Sequence, residues 1–475
     1  MSRYIFEQQW SDSGKLTDAD FSKLYMSAPD KIGPALTFMM GKDNVELNPL
    51  TFMIEGKNKI TEEIKSYEYE YDVVSSFTKT VPLAASISSG TPGQGGTPFE
   101  IAFPERYFSR DYSIFSPNKY ELRIVEDPKM SGTNWVYKVE LVTTDPSAYC
   151  PLAELTEGTF FVKGFASVAA WDSIGNDTNL PGLAKVRGNI GTIRKSFKWG
   201  GDVMNRDMTV DLSELGLGEM FWSYQQWLFE KEWQREVENY YWYATSTRKS
   251  DGSYPKDSSG APIYRGDGLL AQIGSKDTYG NTLSYDKLQQ VIRDTYTGMK
   301  DAENKKITLY TGFGGAEMFD KAVKAGALGT GFTQIAGDKF VEGSGMNLKL
   351  TGYFASFQHR DGYVVDVKTV DLFDYGDIAQ NSPIHPITGL SLESHRMVFV
   401  DTSNYDGSPN IKGLSLKQSP FSRNAVLGVG AVPPGFPDTT ARSSDKHASS
   451  IHYMKTTGVV MRRFNTSIDL TCNIS

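Results

Sequence analysis

The sequence predicts an α+β fold built from several parts, and three observations carry that prediction. A stretch from about Leu217 to Ser246 has no Gly or Pro between Gly218 and Gly252 and reads as one long helix. Between Ser66 and Leu141 the apolar residues recur at every second position, the period of half-buried strands. After Arg265, helix-like and strand-like segments alternate, which describes an α/β part. At 475 residues the chain is long enough for roughly two to four domains with cores of their own.

The first ~55 residues lack a sustained period and are punctuated by Pro29, Pro34 and Pro49. Trp10, Phe21, Tyr25, Phe38 and Phe52 are too many large apolar groups for a solvated tail, so an arm lying on a neighbouring subunit is expected. Tyr67, Tyr69 and Tyr71 then alternate with Glu68, Glu70 and Asp72 in a half-buried strand. Ser88 to Pro98 is a Gly/Pro loop. Alternation resumes at Tyr120, Leu122 and Ile124 and again at Trp135, Tyr137, Val139 and Leu141, giving a two-strand unit with an irregular turn. Leu152 to Ala170 adds further strand-like sequence, so the region reads as a β-rich subdomain.

Asp172 to Arg206 is rich in Gly and Asn and carries Lys185, Arg187, Arg194, Lys195 and Lys198. It is expected to be an extended basic loop that reaches an acidic surface on a neighbour. The long helix follows, a rod of roughly 45 Å at ~1.5 Å per residue. Phe221, Trp222, Tyr224, Trp227, Phe229, Trp233 and the run Tyr240 to Tyr243 spread around it, so several of its faces must meet other elements or other chains.

A polar linker, Arg248 to Gly268, leads to the α/β part. Ser284 is the expected N-cap of a helix that buries Leu288, Val291 and Ile292. Lys306 to Thr311 is a strand, and Ala316 to Ala325 a helix ended by Gly326. Strands are expected at Leu348–Phe357, Tyr363–Val370, Met397–Val400 and Ala425–Val432, and two short ones between Ile451 and Cys472.

The net charge of -8 argues against a dedicated nucleic-acid binder, which would carry a basic excess. Cys150 and Cys472 lie far apart and form no CxxC pair, so no disulfide framework is expected and a reducing cytoplasm is the simplest place of synthesis. No apolar stretch approaches membrane-spanning length, and the N-terminus lacks a basic-then-apolar signal pattern.

Chemistry has few candidates. Ile307 to Phe319 runs from a strand through Gly312-Phe313-Gly314 into a helix, like a dinucleotide-binding turn, but Glu317 stands where the third glycine belongs. A tight strand-to-helix connection is the expected role. Asp401 to Gly407 imitates a calcium loop with its spacing wrong by one residue and no closing Glu, and reads as a turn. His359, His385, His395, His447 and His452 fall in no metal-ligand spacing. No catalytic, cofactor-binding or metal-binding residue is therefore assigned, and no cofactor is expected.

Four long stretches carry a family likeness: Tyr4 to Gly41, Ile335 to Phe354, His385 to Asn410 and Ser449 to Arg463. Through them the chain resembles the major capsid proteins of crAss-like tailed bacteriophages, which share the HK97-like capsid fold. The resemblance implies an N-terminal arm (1–55), an extended-loop region with a β-rich insertion (56–209) and a peripheral domain with its spine helix (210–265). An axial α/β domain (266–445) and C-terminal strands of the peripheral domain (446–475) complete the order. It implies a structural protein, not an enzyme, that assembles with copies of itself into hexamers and pentamers of an icosahedral shell around double-stranded DNA. Portal, scaffold and auxiliary capsid or head-fibre proteins are implied partners, the scaffold as a separate protein because the chain begins at its arm. Contact with DNA is expected to be weak and non-specific, with no membrane involved. Some relatives form Lys–Asn cross-links, which need a catalytic acid in the neighbouring subunit; the sequence assigns no residues to such a cross-link. The alternative is another β-rich virion or surface protein, such as a decoration or carbohydrate-binding protein, which the 12% aromatic content would suit.

Overall fold

Three sheets and one long helix organise the chain, in a computed structural model that describes residues 15–16, 49–55, 60–74, 79–167, 171, 182–200, 221–299, 302–329, 356–358, 364–417, 421–429 and 444–474. The architecture is α+β. The chain divides into two units, Glu70–Arg187 on one hand and Met1–Tyr69 with Gly188–Ser475 on the other.

The smaller unit holds a seven-stranded antiparallel sheet in the order Thr80–Pro82, Phe160–Ala166, Tyr112–Phe115, Glu121–Ile124, Asn134–Leu141, Phe99–Phe103, with Lys129–Ser131 also paired to Asn134–Leu141. Alternation along Asn134–Leu141 sends Tyr137, Val139 and Leu141 inward, as the sequence predicts. Phe103, Phe108, Tyr137 and Phe161 meet edge-to-face at the centre of its core, with ring centroids 5.1 to 6.0 Å apart. That geometry suits the ring quadrupoles.

In the larger unit, a six-stranded sheet is built on the 14-residue strand Ala448–Met461. Gly191–Gly200 pairs antiparallel along one edge of that strand, while Ile411–Leu416 and Ser422–Val426 share the other. Lys15–Leu16 adds parallel to Lys198–Trp199, and Thr61–Ile64 adds parallel to Ile411–Leu416. A second, mixed sheet runs Ser275–Tyr279, Ile468–Cys472, Met397–Asp401, Lys306–Thr311, Val364–Thr369, Ser356–Gln358. The last two strands of the chain thus belong to different sheets.

Several expectations need correction. The basic segment is no loop where it is described. Leu183–Asn189 pairs with Glu68–Val74, and Gly191–Gly200 is a central strand, because Ile193, Phe197 and Trp199 alternate towards the core. The helix expected over Ala316–Ala325 spans Phe313–Gly329 and passes through Gly326. An interior glycine costs about 1 kcal/mol, which is less than burial of Met318, Phe319, Ala322 and Val323 provides. The C-terminal segment opens with one long strand instead of a short one. The long helix is described over Phe221–Tyr243. Its expected start at Leu217, most of the arm, residues 172–181 and 201–206 of the basic segment and most of the strand expected at Leu348–Phe357 lie outside the described residues.

Candidate functional site

The long helix is the centre of the larger unit's first core. Phe229, Trp233, Val237 and Tyr241, spaced by four, form a buried stripe that faces the sheet. Phe229 stacks on Phe197 at 5.7 Å, and both Phe229 and Trp233 meet the Tyr453 ring edge-on at 5.0 and 5.8 Å. On another side, Trp242 meets Tyr310 at 5.3 Å and Phe373 at 5.0 Å. Polar tips close the remaining positions. Tyr453 Oη donates to Glu230 at 2.8 Å, Tyr241 Oη pairs with Thr457 Oγ1 at 2.8 Å, and Tyr243 Oη donates to Glu393 at 2.7 Å. Lys195 holds both Glu232 and Glu236. From Phe229 to Tyr243, then, the aromatics that the sequence spreads over several faces find much of their cover inside their own chain.

Glu238 is the residue that sequence reasoning missed. It is 0% exposed, and its carboxylate accepts four hydrogen bonds: Leu50 N (3.1 Å), Thr51 N (2.8 Å), Thr51 Oγ1 (2.6 Å) and Trp242 Nε1 (2.7 Å). Leu50 and Thr51 open the helix Pro49–Glu55, whose first N–H groups have no partner within their own turn. A carboxylate from the long helix therefore caps the arm's helix from nearly two hundred residues away. Burial pushes the Glu238 carboxyl above its usual range, outweighing the bonds from Thr51, Leu50 and Trp242 that favour its charge. The described pieces of the arm, Lys15–Leu16 and Pro49–Glu55, pair with and pack on elements of their own chain. The available signal was an acid set between Val237, Tyr241 and Trp242 on a buried face.

The dinucleotide-like turn is filled by the chain itself. Phe313 N donates to both oxygens of Asp374, at 3.0 and 3.1 Å, and Gly314 N donates to Ser394 Oγ at 2.9 Å. Ser394 Oγ in turn donates to Asp374. A Cβ at Gly312 would lie 2.6 Å from Asp374 Oδ1, and one at Gly314 would lie 2.5 Å from the His395 ring. The space a pyrophosphate needs at a helix start is taken by a carboxylate, a hydroxyl and an imidazole. The turn is a packed connection, as its Glu317 foretells.

The calcium-like stretch closes on itself as well. Asp401 is buried and accepts from Ser403 N at 2.9 Å and from Tyr405 Oη. Asp406 and Gly407, with φ of 51° and 70°, form the tight turn between Asn404–Tyr405 and Ser408–Pro409. Among the described residues no three His, Cys, Asp or Glu side chains are grouped to hold a metal. His385 and His395 stack 4.3 Å apart, and His452 Nε2 pairs with Ser450 Oγ at 2.9 Å. Cys150 and Cys472 are buried free thiols, and burial together with Glu154 pushes the Cys150 thiol up to about 11. Of the basic segment, Lys185 and Arg187 both bind Glu70, at 3.0 and 3.1 Å. No helix among the described residues is long and apolar enough to cross a membrane. The dinucleotide-like turn and the calcium-like stretch are both closed by hydrogen bonds within their own chain.

Comparison with known proteins agrees. The Crassvirus major capsid protein family matches residues 3–475. The chain is similar to the major capsid protein of Bacteroides phage crAss001, 27% identical, with 95% of this chain and 94% of that protein covered. Among solved structures it is similar to the capsid of a native GTA particle, with 10% identity, 94% of this chain and 96% of that chain covered and a TM-score of 0.35. It is also similar to a chain of Gordonia phage Cozz, with 9% identity, coverage of 66% and 79% and a TM-score of 0.32. The chain belongs to the Crassvirus major capsid protein family: it is a structural component of a phage capsid and not an enzyme.

Proposed function

We propose that this capsid protein is the repeating unit of an icosahedral head with the HK97-like fold, arranged in hexamers and pentamers around packaged double-stranded DNA. The observation that carries the reading is the match of the Crassvirus major capsid protein family over residues 3–475. A decoration or carbohydrate-binding role, the alternative that aromatic content suggests, has no such support. In this reading residues 1–55 are the arm, 56–209 the extended-loop region with its insertion, 210–265 the peripheral part with the spine helix, and 266–445 the axial part. Residues 446–475 close the chain in two sheets. Synthesis takes place in the bacterial host's cytoplasm, and scaffold, portal and auxiliary head proteins complete the particle. With a net charge of -8, contact with packaged DNA is weak, sequence-independent and salt-sensitive. Negative-stain imaging and size-exclusion chromatography of the purified full-length chain test the proposal. Shells, capsomers or capsomer-derived sheets are expected, and a discrete monomer at every concentration up to millimolar would refute it.

A further inference from the structure

Loops normally turn polar tips to water and tuck apolar groups beneath them. The loop Ile384 to His395 departs from that pattern. His385 and His395 are fully buried, while Ile384, Ile387 and Leu390 stand 69%, 61% and 38% exposed. Tyr375, Ile378 and Phe313 add 47%, 44% and 46% exposure in the same neighbourhood, where Phe313 N is held by Asp374. At about 200 Å² for a large side chain, these exposed fractions leave roughly 600 Å² of apolar surface open. The largest patch on an ordinary monomer is about 300–600 Å² and is often functional.

The patch stands on a rigid base. His385 N donates to Leu390 O at 2.7 Å, Gly389 N to His385 O at 2.9 Å, and Leu392 N to Pro383 O at 2.8 Å, so the loop is closed by its own backbone. Below it the two imidazoles stack 14° from parallel. His395 Nδ1 lies 2.8 Å from Ser391 O and its Nε2 2.9 Å from Thr388 Oγ1. His385 Nδ1 accepts from Ile387 N at 3.3 Å and Thr388 N at 3.4 Å. A loop held this firmly loses little freedom when a partner covers its tip, which is where apolar contacts yield most affinity. Charge lies beside it: Arg235 donates to Tyr375 O at 2.6 Å and lies 4.0 Å from the exposed Asp377. An apolar centre beside charged groups is the usual anatomy of an interface.

We infer that the surface formed by Phe313, Tyr375, Ile378, Ile384, Ile387 and Leu390 docks a second copy of this chain. The inference rests on the proposed shell, in which each subunit is surrounded by its own kind. Its exposed area also approaches the ~800 Å² that one partner gives to a standard interface. The test uses the full-length chain carrying Ile384→Asp and Ile387→Asp together, beside a second variant with a photo-activatable benzophenone side chain at position 387. The double variant is expected to keep the wild-type melting temperature, since both positions are exposed, and to lose at least tenfold of its assembled fraction. The photo-probe is expected to give a covalent product of two 52.8 kDa chains whose linked peptides both come from this sequence. Wild-type-like assembly of the double variant, or a link to a different protein, overturns the inference and leaves the capsid reading standing. A wild-type chain that stays monomeric overturns both.

Discussion

Two buried glutamates, one in each unit, show how depth decides what a carboxylate does. Glu154 in the β-rich unit is 6% exposed and Glu238 in the larger unit 0%. Both are held by hydrogen bonds, Glu154 from Asn118 N and Nδ2 and from Ser116, Glu238 from Leu50, Thr51 and Trp242. Burial pushes both upward, but Glu154 is shallow, so its bonds from Ser116 and Asn118 win and hold it below the usual carboxylate value. Glu238 is deep, and there burial wins. The first is a clasp within one subdomain, on the exposed Asn118. The second ties the arm to the long helix, and its surroundings leave it little else to do.

Removing each acceptor should expose that difference most strongly. Glu238→Leu leaves two backbone N–H groups, a hydroxyl and an indole N–H buried without partners, and should lower stability by roughly 3–5 kcal/mol. Glu154→Leu should lower it by about 1–3 kcal/mol, since water reaches the orphaned Asn118 more easily. Chemical denaturation of the two variants beside the parent measures both. Equal losses would break the distinction between deep and shallow.

Acidity sharpens the same contrast, because the two groups have opposite signs. The folded Glu238 carboxyl is raised, so its contribution is full below the unfolded value of 4.5 and declines as pH rises through the folded value. The folded Glu154 carboxyl is lowered, so its contribution is full above 4.5 and disappears as pH falls through the folded value. The destabilisation caused by Glu238→Gln should therefore shrink from pH 4 to pH 8, by at most about 1.4 kcal/mol per unit. That caused by Glu154→Gln should shrink in the other direction, from pH 5 to pH 3. Parallel pH profiles would contradict the opposite shifts.

Lys455 lies 8% exposed on the strand beneath the long helix, its ammonium 5.7 Å from the Tyr241 ring centroid. Burial pushes it down to about 7 from 10.5. Its lowered value means that stability rises with pH between about 7 and 10.5, where the unfolded chain binds the proton and the folded one does not. Lys455→Met keeps the stem and removes the buried amine, so it should stabilise by about 1–3 kcal/mol near pH 6 and by progressively less towards pH 10. Thermal melts at the two pH values compare the gains, and a gain independent of pH would place the effect in packing, not in charge.

What was legible in the sequence follows the range of each interaction. The strand Glu68–Val74 alternates its tyrosines and acids as the period-two pattern predicts, and Asn134–Leu141 does the same. The long helix is declared by its freedom from Gly and Pro. The strand Gly191–Gly200 was misread because its outward positions carry Arg194 and Lys198, which gave the segment a loop-like composition while Ile193, Phe197 and Trp199 wrote the strand between them. Glu238 and Asp374 were not legible as caps, since each serves a helix start distant in sequence. No spacing rule reaches that far.

Ser284 is the counter-case. Its hydroxyl accepts from Lys287 N at 3.2 Å, three residues on, and its backbone is extended, as an N-cap requires. The pattern that betrays it, Ser before a stripe of Leu288, Val291 and Ile292, is complete within nine residues, so the sequence alone names both the cap and the face it starts. Such a cap is exposed on one side, and water can replace part of what it gives. Ser284→Ala should therefore lower stability by only about 1 kcal/mol, and Ser284→Asp should restore it, because a carboxylate suits the positive end of the helix. The most readable cap in the chain should thus be the weakest, and the least readable, Glu238, the strongest. Denaturation curves showing Ser284→Ala to be as damaging as Glu238→Leu would mean that reach along the chain says nothing about how much a cap holds.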